Sequence, residues 1–178
     1  MKQALLIIDV QRALFDAEPR PFEADAVVER INALSARARL AGVPVVFIQH
    51  EDARSLAHGS DGWQLQAALS TTPADRFIRK RTADSFLGTA LGEWLAAEGI
   101  DQLVVAGYAS EFCVDTTVRR AAALGWAVLI AADAHTTHDK THATAALIRA
   151  HHNATLADIS SFGPKIEAVA GDRVRFGG

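Results

Sequence analysis

The chain has 178 residues, 49% of them hydrophobic and 22% charged, with a formal net charge of −3 at pH 7. That length suits one domain, residues 1–178, able to bury a sizeable core of its own. No run approaches the roughly 20 apolar residues that span a bilayer, and the basic residues fall in short clusters such as Arg79-Lys80-Arg81, which excludes a nucleic-acid or polybasic membrane surface.

The start, MKQALLIIDVQ, reads as a first strand rather than a signal peptide, because an Asp interrupts the apolar run and no small-residue cleavage site comes after it. Strands are predicted at Ala4–Val10, Val43–His50, Arg76–Lys80, Gln102–Gly107, Ala127–Ala132 and Ala154–Ile159. Unbroken apolar runs such as LLII, VVFI and VLIAA suit strands covered on both faces. Between them lie helical patterns. Ala24–Ala41 places Val27, Val28, Ile31, Leu34, Ala38 and Leu40 close to a 3.6-residue period, and Gly42 stops it. Gly88–Glu98 ends at Gly99, Val114–Leu124 at Gly125, and Lys140–His151 continues the pattern. Strands alternating with helices predict an α/β fold: a doubly wound, mostly parallel sheet of about six strands with helices on both faces.

Ligands of such sheets collect at the carboxyl ends of the strands, where strand order reverses. Three chemically distinct residues stand there: Asp9 ends the first strand, Lys80 the third, and Cys113 begins the helix after the fourth. Cys113 is the chain's single cysteine, so no internal disulfide can form and a reducing, cytoplasmic setting is expected. At a helix N-terminus, backbone N–H groups and the helix dipole favour a thiolate. Taken singly, each residue has an ordinary reading: a buried small hydrophobe, a turn cap and a solvated edge charge. One fold rule aims all three at the same crevice.

With these residues in place, the chain resembles the isochorismatase-like cysteine hydrolases, the superfamily that includes nicotinamidases. LLIIDVQ is similar to the family's first strand with its catalytic Asp, and DRFIRKRTADSFLGTALGEWL to the segment with its catalytic Lys. LVVAGYASEFCVDTTV carries the G-x-x-[ST]-x-x-C-V-x-x-T nucleophile signature. The resemblance implies a Cys113 nucleophile, an Asp9 base and a supporting Lys80. It also implies an oxyanion hole from the backbone N–H groups of Ala109 and Cys113, reached through a cis Tyr108–Ala109 peptide, and a homodimer or homotetramer. The member that names the family cleaves a vinyl ether and lacks the cysteine, so Cys113 favours hydrolysis of a small amide or related C–N bond. Nicotinamidases carry an Asp-x-His metal motif after the second strand. Here that strand ends Gln49-His50-Glu51-Asp52, so no metal and no cofactor are expected.

Phe15, His50, Trp63, Tyr108 and Phe112 are candidates for the substrate pocket, with Trp63 equally suited to a subunit contact, and Phe86 is assigned to the core. Asp133 caps the segment after the fifth strand or frames the site. His135, His138, His142, His151 and His152 read as solvated residues, because no His-Glu-x-x-His motif accompanies them. Two rival functions stay open: thioester or ester hydrolysis on the same three residues, and a non-catalytic small-molecule binder or redox sensor.

Overall fold

A computed structural model describes residues 1–177. Six strands form one sheet in the order β3-β2-β1-β4-β5-β6, and every pairing is parallel. They are β1 (Gln3–Ile8), β2 (Val45–His50), β3 (Arg76–Lys80), β4 (Gln102–Tyr108), β5 (Ala127–Thr136) and β6 (Ile166–Val169). The helices are α1 (Arg12–Phe15), α2 (Ala24–Leu40), α3 (Leu91–Ala97), α4 (Asp115–Ala123) and α5 (Ala145–Asp158), with a π-helical turn at Ser110–Val114 leading into α4. Among the described residues, no helix is long and apolar enough to cross a membrane.

The two-residue period of a strand sorts the core into two layers. Ala4, Leu6 and Ile8 of β1 face one side with Leu91 and Leu95 of α3, Val118 of α4 and Leu156 of α5. Leu5 and Ile7 face the other side with Val27, Val28, Ile31 and Leu34 of α2. Because β1 is central and buried along its whole length, it has no polar face, which is why its sequence is unbroken LLII. The helical stripe of α2 falls where its period places it, except that Leu40 is 89% exposed at the helix end. Phe86 is buried and stacks on Trp126 with ring centroids 5.3 Å apart, as its core assignment requires.

Two expectations fail at the carboxyl end. Ala154–Ile159 is not a strand: α5 runs through it to Asp158, and the sixth strand is Ile166–Val169. Thr144 caps the helix by accepting from the Leu147 amide at 3.3 Å, and Leu156 extends the buried face begun by Ala145 and Ile148. The stretch ATLADI is too short for its period to separate strand from helix, and the packing of Leu156 decides it. Similarly, β5 continues four residues past its predicted end at Ala132, because its pairing with β4 shifts register between Val105 and Gly107. That irregularity brings His135 opposite Gly107 and Thr136 opposite Tyr108.

Candidate active site

The sheet order reverses between β1 and β4, its two central strands. The crevice beyond their carboxyl ends therefore receives the residues that come next in the chain, which are Asp9 after β1 and the Ser110–Val114 turn after β4. Asp9 sits in the left-handed region at φ 52°, a conformation that costs a non-glycine residue roughly 1–2 kcal/mol and that Asp tolerates better than most. Its amide still bonds Ile48 of β2 at 2.8 Å, so the chain turns only once the ladder is complete. Gly107 on β4 lies at φ 121°, and a Cβ there would stand 2.1 Å from the Ile8 carbonyl oxygen. Glycine is what lets β4 press against β1 at the point where the two site-bearing turns begin. The peptide bond between Tyr108 and Ala109 is cis.

Asp9, Lys80 and Cys113 meet. Lys80 Nζ donates to Asp9 Oδ2 at 2.7 Å, to Cys113 Sγ at 3.2 Å and to the Thr82 carbonyl at 3.0 Å, and lies 3.3 Å from His50 Nδ1. Lys80 and Asp9 are each 1% exposed. Lys80 stands on the outermost strand, yet it points inward to the crevice instead of serving as the solvated edge charge its Arg-Lys-Arg setting suggests. Asp9, His50 and Cys113 each offer one ligand-type atom within 4.8 Å of the others. The ammonium touches all three, so the positive charge that such a cluster calls for comes from Lys80.

Burial pushes the Asp9 carboxyl above its usual range, opposed by the Lys80 charge and hydrogen bond. Burial likewise pushes the half-buried Cys113 thiol up to about 12, and the Asp9 charge adds to the push while Lys80 opposes it. Desolvation and the neighbouring carboxylate thus act against the thiolate that a helix start favours, and they outweigh the one ammonium. Asp9 Oδ1 is buried without a hydrogen-bond partner.

The pocket candidates separate. His50 borders a cleft of about 480 Å³ lined also by Glu51, Asp52, Ala53, His58 and Arg81. Trp63 is half-buried and meets His58 edge-on at 4.7 Å, and its carbonyl accepts from both Gln11 Nε2 at 2.9 Å and Gln49 Nε2 at 3.0 Å. Gln11 also holds the His50 backbone from both sides, donating to its carbonyl at 3.0 Å and accepting from its amide at 2.9 Å. Phe15 is fully buried and meets Tyr108 edge-on at 5.8 Å, as a core residue does. Phe112 is 56% exposed, with Lys140 Nζ 5.5 Å from its ring centre.

Sequence reading missed three histidines, of which His152 is half-buried with its Nδ1 2.8 Å from the Ile148 carbonyl oxygen. His138 is half-buried and its Nδ1 lies 2.8 Å from the Tyr108 hydroxyl. His135 is 1% exposed, between Ser110 Oγ and Asn153 Oδ1, and not solvated. His142 and His151 are exposed as expected. The signal for His135 lies in the continuation of β5 beyond Ala132, which buries it. Asp133 accepts from the Gly171 amide at 2.7 Å and so caps the turn at Gly171–Arg173.

A six-stranded, all-parallel sheet with its crevice at the β1/β4 reversal is a fold that known proteins share. Residues 3–161 match the Isochorismatase domain family, and the chain belongs to that family. A solved structure of an isochorismatase family protein superposes with a TM-score of 0.87 at 37% identity, covering 95% of this chain and 98% of that one. Streptothricin hydrolase from Streptomyces noursei is 40% identical over 139 residues, 77% of this chain and 50% of that protein, so the chain spans about half the length of this relative. Ureidoacrylate amidohydrolase RutB from Methylobacterium radiotolerans is 27% identical over 206 residues, 93% of this chain and 76% of that protein.

Proposed function

We propose that the protein is a cysteine hydrolase of small amides or related C–N bonds, working through a thioester on Cys113. The observation that carries this reading is the buried Asp9–Lys80 pair against the Cys113 thiol, with one carboxylate oxygen left unpartnered. An orphan acceptor beside a thiol is suited to receive its proton, and a carboxyl of raised proton affinity is a better base than an ordinary one. At rest the thiol keeps its proton. As sulfur attacks the substrate carbonyl carbon, the S–H proton passes to Asp9 and the carbonyl π electrons move to oxygen. The backbone N–H groups of Ala109 and Cys113 receive that oxyanion, each worth roughly 3–4 kcal/mol of barrier. The C–N bond then breaks, the nitrogen leaving with the proton from Asp9. A water that gives a proton to Asp9 attacks the thioester, releasing the acid and restoring the thiol.

Lys80 keeps Asp9 ionised at rest and stabilises the sulfur as negative charge develops there. Two relatives whose names denote a streptothricin hydrolase and an amidohydrolase support amide chemistry over the ester alternative. The polar cleft beside His50 is assigned to the part of the substrate that does not react. Turnover of a panel of small primary amides, ureido compounds and matched esters tests this reading. Ammonia or amine release that disappears in Cys113→Ala supports it. Undiminished release in Cys113→Ala, or hydrolysis of esters alone, rejects it.

A further inference from the structure

Directly behind the nucleophile turn lies a chain of buried polar groups that the proposed chemistry leaves unused. Ser110 Oγ is 2.8 Å from His135 Nδ1, His135 Nε2 is 2.9 Å from Asn153 Oδ1, and Asn153 Nδ2 donates to the Ala132 carbonyl at 2.8 Å. Ser110 is 0% and His135 1% exposed, so neither can reach a substrate.

The direction of every bond is set by its far end. The Ala132 carbonyl only accepts, so the Asn153 NH₂ faces it and Oδ1 faces the histidine. An amide oxygen cannot donate, so His135 carries its proton on Nε2. Burial pushes the imidazole down to about 4, and Arg149 and His152 of α5 also disfavour its charge. Asn153 and Asp133 favour the charged form, but Asp133 is engaged with the Gly171 amide and Arg30. The ring is therefore neutral, Nδ1 is bare, and the Ser110 hydroxyl must donate to it. One tautomer satisfies the whole chain.

Ser110 opens the π-helical turn that ends at Val114, and Cys113 is three residues further on. The turn is tied at its base by Phe112 and Val114 amides bonding the Ala109 carbonyl at 3.0 and 3.1 Å. The Ser110 hydroxyl ties it sideways to β5. We propose that Ser110 and His135 are positioning residues that hold the nucleophile turn so that Cys113 faces Asp9 and Lys80, an inference resting on the reading of Cys113 as nucleophile. The register shift of β5 has its use here, since it brings His135 alongside β4 at Gly107, three residues before Ser110.

The test compares Ser110→Ala, His135→Leu and His135→Asn with wild type. Asn offers an uncharged acceptor near the place of Nδ1. The readouts are the pH dependence of Cys113 alkylation by iodoacetamide, thermal unfolding, and kcat and KM on any amide turned over. With the anchor cut, the thiol swings off Asp9, so the alkylation midpoint moves down by about one pH unit or more toward the ordinary ~8.5. The kcat falls about 10–100-fold with KM little changed. His135→Asn restores both. A residue that only fills the core would lower the unfolding temperature and leave the midpoint in place. Because Ser110→Ala deletes a single hydroxyl, an unmoved midpoint in that folded variant overturns the inference, even if His135→Leu fails to fold. If the midpoint moves while Cys113→Ala still hydrolyses amides, the anchoring stands and the nucleophile reading falls.

Discussion

The Lys80 ammonium lies 2.7 Å from Asp9 Oδ2, with both side chains at most 2% exposed, and the same nitrogen donates to the Cys113 thiol. A buried pair of this kind is held by mutual compensation: each charge is costly alone and tolerable with its partner. Lys80→Met keeps an unbranched stem of four heavy atoms and removes the charged end. Asp9 is then buried without compensation, and urea unfolding at pH 8 is expected to show a loss of about 3–5 kcal/mol. The deficit has a defined pH sense. A carboxyl whose folded pKa is raised favours the folded state at low pH and loses that contribution as pH rises from its unfolded value of ~3.9 through the raised value. The deficit of Lys80→Met should therefore shrink on acidification. A deficit independent of pH would mean that lost packing, and not the stranded carboxylate, is responsible.

Asp9→Asn separates the ionisation of the thiol from catalysis. The Asp9 charge is one of the causes that hold the thiol up near 12, while Lys80 opposes it. Removing the carboxylate and keeping the ammonium lowers the pKa of the thiol, so iodoacetamide should alkylate the variant faster than wild type at pH 8. Hydrolysis should nevertheless drop by about 10²–10⁴-fold, since the proposed base is gone. Slower alkylation in the variant would show that Asp9 helps to form a resting thiolate, contrary to the electrostatics of the site.

His135 gives the fold a pH dependence of its own. Its folded pKa of about 4 lies below the ordinary 6.5, so the unfolded chain binds the extra proton between those values. The contribution is fully present above pH 6.5 and is lost as pH falls toward 4, roughly 3 kcal/mol in all. His135→Asn cannot titrate, and its unfolding free energy should decline less steeply than that of wild type over this window. Asp9 titrates with the opposite sense in both proteins, so the comparison isolates the histidine.

Two glycines in positive-φ conformations should differ sharply in tolerance. At Gly107 a methyl group would meet the Ile8 carbonyl oxygen at 2.1 Å, whereas at Gly88, φ 68°, nothing lies within 4 Å of an added Cβ. Gly88→Ala should cost only the backbone penalty, about 1–2 kcal/mol. Gly107→Ala must push β4 away from β1 and should cost more than about 4 kcal/mol or prevent folding. Thermal unfolding of the two variants side by side decides whether that contact is as close as the structure has it.

The sequence by itself determined the layers and the place of the candidate site. The runs LLII, VVFI and VLIAA have no polar face, so they had to become strands covered on both sides, and parallel strands need crossovers that put helices on both faces. Asp9, Lys80 and Cys113 were legible because a strand's end is a local property and the fold rule for strand ends is general. Only the tertiary structure decided which way side chains point, and with what proton affinity. The inward turn of Lys80, the burial of His135 and the orphan oxygen of Asp9 arise from contacts between segments far apart in sequence. So does the thiol held near 12, where desolvation and a neighbouring carboxylate outweigh the Lys80 ammonium. Periodicity reports what one segment needs to bury; the pKa of a side chain and the path of an irregular strand depend on what the rest of the chain packs around them.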